Sequence, residues 1–248
     1  MTIKKILISQ APPSNLAPYS TLQTKYGIDI DFIPFFLIEP LTSREFRAQK
    51  VDILDYTAAV FSAKHTIDAF FKLCAELRIK VPPTMKYFCT TEAVALYLQK
   101  YIVFRKKKIF YGTGTPDSVV AQIGTKHRDE KFLITTSDNT NITDITSVFD
   151  KAGLRYRTAV FVKAVSQDLR SVEINSYDVV VVYNSSDVRS LKENFPGYEP
   201  GRTKFITYGR QIVEAMEKEG LPIEIKAPTP EAPSVAKALE QYLETHED

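Results

Sequence analysis

Residues 177–189 read YDVVVVYNSSDVR, and this stretch constrains the fold more than any other. Val179–Val182 is a β-branched apolar run without alternation, flanked by polar residues. A strand buried on both faces of a parallel sheet reads this way. Asn184, Ser185 and Ser186 follow as a hydroxyl-bearing loop, and Asp187 is placed to cap a helix whose apolar positions include Val188 and Leu191. In open α/β sheets such a loop sits at the carboxyl edge, where ligands bind.

The unit recurs along the chain. Ile3–Ser9 and Ile28–Ile33 predict strands on either side of a helix from about Asn15 to Tyr26, stopped by Gly27. Pro34–Leu41, bracketed by prolines that disfavour helix, reads as an extended linker. The pattern then restarts, with strands at Ala58–Phe61, Lys86–Cys89, Ile109–Tyr111 and Phe132–Ile134. Their loops are Ser62-Ala63-Lys64, Thr90-Thr91, Gly112-Thr113-Gly114 and Thr135-Thr136-Ser137, each leading into a helical pattern. Arg155–Lys163 closes this set at about five strands. The last block holds Val179–Val182, Lys204–Thr207 and Ile223–Lys226, with Tyr208-Gly209-Arg210 before a helix and an amphipathic helix at the C-terminus. Three strands do not complete a sheet, and the two N-terminal ones make up the number. The expected fold class is α/β, with two doubly wound parallel-sheet domains of flavodoxin-like type. One is discontinuous, 1–37 plus 168–248; the other, 40–163, is inserted into it. Segments of about 34–41 and 158–166 are expected to form a two-segment β hinge.

A chain of 248 residues, 44% hydrophobic and 25% charged, can bury a sizeable core. Its net charge of +2 gives no bulk argument for nucleic acid or membrane as a partner. No apolar run approaches a membrane span, and MTIKKILISQAPP lacks a cleavage-site pattern. Cys74 and Cys89 read as buried reduced thiols, so a cytoplasmic location is expected. Gly112-Thr113-Gly114 is a lone G-x-G, and no P-loop is present. His65, His127 and His246 are scattered without metal-ligand spacing and suit solvated or capping roles. Arg105–Lys108 reads as a solvated strand entry or as a rim attracting carboxylates. Each strand-end loop taken alone is explained by helix capping. Six or seven of them together suit a ligand rich in anions.

The segments LISQAPP, FIPFFLIEP, AAVFSAKHTIDAFF, YFCTTEAVALYLQKYIVFRKKKIFYGTG, YDVVVVYNSSDVRSLKENFPG, FITYGRQIVEAM and IKAPTPEAPSVAKALEQYL carry a further signal in their order and spacing. Over nearly its whole length the chain resembles the uroporphyrinogen-III synthase family. The resemblance implies two α/β domains joined by a β-ladder hinge, with the site in the cleft. It implies a lyase that removes water from linear hydroxymethylbilane and closes it into uroporphyrinogen III, with the last pyrrole ring inverted. It also implies a substrate with eight carboxylates, no cofactor, no metal, a monomer, and the upstream bilane-forming deaminase as a partner.

Substrate contacts are expected at Ser9 and Gln10, at Ser62, Ala63 and Lys64, and at Thr90 and Thr91. Further contacts are expected at Phe161, at Ser185, Ser186 and Arg189, and at Tyr208, Gly209, Arg210 and Gln211. Ser185 and Ser186 are the foremost of these, as carboxylate binders. No catalytic acid is assigned, because several hydroxyls usual in the family are missing. Ala63 stands for a serine, Ala93 for a threonine, Phe161 for a tyrosine, and Gln211-Ile212 for a threonine pair. Those losses keep open a non-catalytic tetrapyrrole-binding protein on the same fold.

Overall fold

A computed structural model describes residues 3–209 and 212–246. In chain order the elements begin with β1 (Lys5–Ile8), α1 (Ala17–Tyr26), β2 (Asp29–Phe32), β3 (Phe36–Pro40) and α2 (Ser43–Ala48). There follow β4 (Ala58–Phe61), α3 (Lys64–Glu76), β5 (Lys86–Cys89), α4 (Glu92–Tyr97), β6 (Ile109–Tyr111) and α5 (Pro116–Ile123). Next come β7 (Lys131–Ser137), α6 (Thr143–Lys151), β8 (Arg155–Ser166), β9 (Val179–Val182) and α7 (Ser185–Asn194). The chain ends with β10 (Lys204–Tyr208), α8 (Ile212–Lys218), β11 (Ile223–Ala227) and α9 (Val235–Glu244). It divides into two compact units, residues 1–37 with 165–248 and residues 38–164.

The first unit is built on a parallel sheet in the order β11-β10-β9-β1-β2. Val179–Val182 lies between β1 and β10, and all four valines are fully buried. Alternate side chains serve opposite faces, which is why the run shows no polar alternation. Val180 and Val182 pack with Val188, Leu191, Ile212 and Met216 from α7 and α8. Val179 and Val181 pack with Leu22, Leu239 and Leu243 from α1 and α9. Strand order reverses between β1 and β9, and in such sheets the reversal opens a crevice at the carboxyl ends.

The second unit carries a sheet in the order β3-β8-β7-β4-β5-β6, reversing between β4 and β7. One face packs Phe46, Phe61, Phe70 and Phe161, and the other packs Phe88, Phe132 and Phe149 beneath α5 and α6. Each fully buried phenylalanine contributes about 1.5–3 kcal/mol. The two cysteines are free and buried, and burial pushes both thiols up to about 12.

The structure departs from the expected elements in three places. Pro34–Leu41 is more than a linker: it contains β3, an edge strand beside β8, which makes six strands where about five were expected. An edge strand tolerates the terminal Pro40 because one side needs no ladder donor. Thr135-Thr136-Ser137 is not a loop but the buried end of β7. The Thr135 hydroxyl donates to Val60 O at 2.9 Å and Thr136 to Ser137 O at 3.2 Å, and Ser137 Oγ bonds Asn139 Oδ1, so the polar groups are satisfied inside. Residues 43–48, read as no element, form α2, started by a capping box between Thr42 and Glu45.

Candidate active site

At the carboxyl edge of the first unit the ends of β1 and β9 are tied together. Ser9 N–H donates to Val181 O at 3.0 Å. Asn184 is the N-cap of α7, its Oδ1 accepting the Ser186 N–H at 2.8 Å. Asp187 reciprocates from the third helical position, where Oδ2 accepts the N–H of Tyr183 (2.8 Å) and of Asn184 (3.2 Å). Asn184 therefore takes the capping role expected of Asp187. Ser185 and Ser186 belong to the first turn rather than to a loop. Ser185 is exposed, whereas Ser186 is buried and offers no side chain to a ligand.

Asp187 is fully buried, and burial drives its carboxyl up to about 6, against the pull of its N–H donors and of the nearby Ser9 hydroxyl. Among the described residues neither Asp187 Oδ1 nor the buried Ser9 Oγ has a hydrogen bond of normal geometry, yet the hydroxyl is close enough to favour the ionised form. Three phenols gather beside this pair. The Tyr183 and Tyr208 rings are 5.6 Å apart, and Tyr208 donates its hydroxyl to Pro233 O at 2.8 Å. Burial raises the Tyr183 phenol above its ordinary range, with smaller contributions from Tyr19, Asp187 and Tyr208. Gly209, at φ 135°, donates its N–H to Ala227 O at 2.7 Å, and a Cβ there would lie 3.2 Å from Tyr183 O. Only glycine keeps that loop close without strain. Gln10 is half-buried beside Ser9, and Arg189 pairs with Glu193 one turn on, at 4.0 Å. Arg210 and Gln211 lie outside the described residues.

The carboxyl edge of the second unit holds a hollow of ≈ 190 Å³ lined by Ser62, Thr90, Gly114, Thr136 and Asn141 among others. Thr90 donates its hydroxyl to Ser62 O at 3.3 Å, joining the loops after β4 and β5. Ala63 is the N-cap of α3 and provides no side-chain acceptor to its first-turn N–H groups. Thr91 instead caps α4 through the Val94 N–H at 3.3 Å, which accounts for its hydroxyl without a ligand. Lys64 is exposed, its ammonium 5.5 Å from the centre of the Tyr97 ring.

Two expectations fail here, and for Arg105–Lys108 the solvated strand entry holds while the alternative rim does not. Phe161 is 1% exposed, packed against Phe46 (4.9 Å) and Phe70 (5.6 Å), so it is core and cannot touch substrate. Arg105–Lys108 enters β6 from its amino end, the opposite edge from Ser62 and Thr90, and forms no rim around that hollow. His127 is neither solvated nor capping: it is buried against Phe88 and Phe110, and burial lowers its pKa. Among the described residues no group of His, Cys, Asp and Glu could hold a metal ion, and no helix is long and apolar enough to cross a membrane. Tyr19 and Tyr183 were not foreseen. They come from separate segments, and nothing in the sequence marks their meeting.

A family model described as uroporphyrinogen-III synthase HemD matches residues 17–237. The chain belongs to the uroporphyrinogen-III synthase family. With that membership comes the family's function, a lyase reaction of heme biosynthesis. Similar solved structures include the uroporphyrinogen-III synthetase from Helicobacter pylori 26695, at 14% identity and TM-score 0.54, covering 98% of this chain and 100% of that one. A mutant uroporphyrinogen III synthase from Thermus thermophilus matches at 12% identity and TM-score 0.53, covering 98% and 99%. At such identities these two synthases speak for the fold alone. No curated protein sequence matches the chain. The non-catalytic reading draws no support from the family match.

Proposed function

We propose that the chain dehydrates and closes hydroxymethylbilane with its carboxyl-edge residues, taking substrate carboxylates on backbone N–H groups more than on hydroxyls. The uncapped first turn of α3 behind Ala63, with Lys64 beside it, suits this role. Ser62 and Thr90 add contacts at the same edge, and Ser185, Tyr208 and Gly209 add others at the edge of the first unit. Since N–H groups are common to all residues but proline, losing the hydroxyls at Ala63 and Ala93 leaves this binding intact.

Once protonated, the hydroxymethyl oxygen departs as water and leaves a cationic azafulvene, and the carbon–carbon bond that closes the ring releases a proton in turn, so that only water is lost overall. The observation that carries the chemical part of the reading is the meeting of Tyr183 and Tyr208, ring centres 5.6 Å apart, beside buried Asp187. Aromatic faces stabilise a cation, and a carboxylate ionised above about pH 6 does so at longer range. The residues otherwise fold and hold a flexible chain so that its ends meet. The protein acts as a cytoplasmic monomer that receives its short-lived substrate from the deaminase.

Coupled to the deaminase, the protein should yield the type III isomer; formation of type I alone would refute the activity. Tyr183→Phe retains the ring and should retain turnover, whereas Tyr183→Leu should lose about tenfold in kcat. Equal losses in both variants would point to the hydroxyl and overturn the role given to the ring.

A further inference from the structure

Nothing described so far uses the turn between α4 and β6. From Glu92 to Asp117 the intervening chain has no acidic residue and carries five basic ones, Lys100 and Arg105–Lys108. Lys100 is bound to Asp68 at 2.8 Å, but the other four have no carboxylate partner among the described residues. Apolar groups stand out of the same surface. Val103 is 77% exposed, the highest value among the exposed large hydrophobic side chains, and Leu96 is 46% exposed. A hollow of ≈ 230 Å³ joins Val103 to Arg105 and Lys108, and another of ≈ 610 Å³ joins Leu96 and Phe104 to Lys106. The first hollow lies at the amino end of the edge strand β6 and the second runs along that strand to Tyr111 and Glu92, so exposed apolar side chains and cations without a carboxylate partner share this side of the sheet.

We propose that this turn is a docking surface for an anionic lipid bilayer. Charge complementarity selects the partner: each lysine or arginine brought to a negatively charged membrane surface adds to binding, and a protruding aliphatic side chain gains by entering the interface. Protein-binding patches are broad and shape-complementary at their centre, whereas a few side chains lifted on an irregular turn between basic neighbours suit a fluid surface. The net charge of +2 provides no long-range pull, so the attraction is local to these residues. Contact through the amino edge of β6 leaves the hollow at Ser62 and Thr90, on the carboxyl edge, uncovered.

Sedimentation of the full chain with phosphatidylcholine vesicles, with and without about 30% phosphatidylglycerol, tests the proposal. The protein should sediment with the anionic vesicles, stay free of the neutral ones, and be released at about 0.5 M NaCl. Lys106→Glu with Lys107→Glu, and separately Val103→Asp, should each weaken binding about tenfold or more while leaving synthase turnover and circular dichroism unchanged. Absence of binding to anionic vesicles, or equal binding by the variants, overturns the proposal. If polyglutamate retains the protein when vesicles do not, the surface belongs to an acidic polypeptide instead.

Discussion

Replacing Asp187 by asparagine isolates the electrostatics of the β1–β9 crevice. The carboxyl is fully buried and its pKa stands at about 6 against an ordinary 3.8. A carboxyl raised on folding stabilises the native state while protonated, below about pH 4, and this contribution is lost as pH rises through about 6. A rise of about two units, at about 1.4 kcal/mol each, makes the loss about 3 kcal/mol by neutral pH. The asparagine of Asp187→Asn can keep an oxygen toward the N–H groups of Tyr183 and Asn184, and its amide can face the Ser9 hydroxyl, but it does not titrate. The free energy of unfolding in urea, measured for both proteins in steps from pH 4 to 7.5, gives a difference in which other titrating groups cancel. Wild type should lose up to about 3 kcal/mol relative to the variant across that range. A flat difference would show that Asp187 titrates alike folded and unfolded. A difference of opposite sign would show that its N–H donors outweigh burial, and either result refutes the reasoning.

Restoring the family's tyrosine with Phe161→Tyr should not raise turnover, because the added hydroxyl lands between Phe46 and Phe70. Thermal melts should show about 1–3 kcal/mol of destabilisation from a buried group without a partner. Ala63→Ser should raise stability by about 1 kcal/mol in urea titrations by capping α3. Gly209→Ala should cost at least about 1 kcal/mol, since φ 135° and the 3.2 Å approach to Tyr183 O both exclude a side chain. Its KM should rise as the loop shifts, measured with the deaminase-coupled assay.

The short strands were legible residue for residue: Ala58–Phe61, Lys86–Cys89, Ile109–Tyr111 and Val179–Val182 coincide with β4, β5, β6 and β9, of which β6 is an edge strand with Tyr111 exposed and the other three are buried along nearly their whole length. Parallel strands covered on both faces admit little but apolar side chains, so composition alone delimits them. The end of β7 reads as a loop because of its hydroxyls, but Thr135 donates across to Val60 O of β4 while Thr136 and Ser137 bond within their own segment, and no periodicity reveals either. Two capping boxes stand in the sequence. Thr42-x-x-Glu45 announces α2, and Asn184-x-x-Asp187 places the start of α7. At the candidate site, the loops after β4 and β5 were readable from their hydroxyls. The phenol cluster was not, since Tyr19, Tyr183 and Tyr208 meet only through tertiary packing.

The pairing of Ile6 with Val179 and Ile8 with Val181 sets a schedule for making this protein. Strands β1 and β2 leave the ribosome ahead of the other strands, yet the strand that covers the other side of β1 follows about 170 residues later. At about 5–20 residues per second, that delay is roughly 10–30 s. Residues 38–164 meanwhile hold every strand of their own sheet in one continuous stretch except the start of β3 and the end of β8, and they can collapse during the wait. Until Val179–Val182 emerges, the nascent chain presents Ile6, Leu7 and Ile8 beside an open strand edge, and that interval is when pairing with another chain competes most with folding.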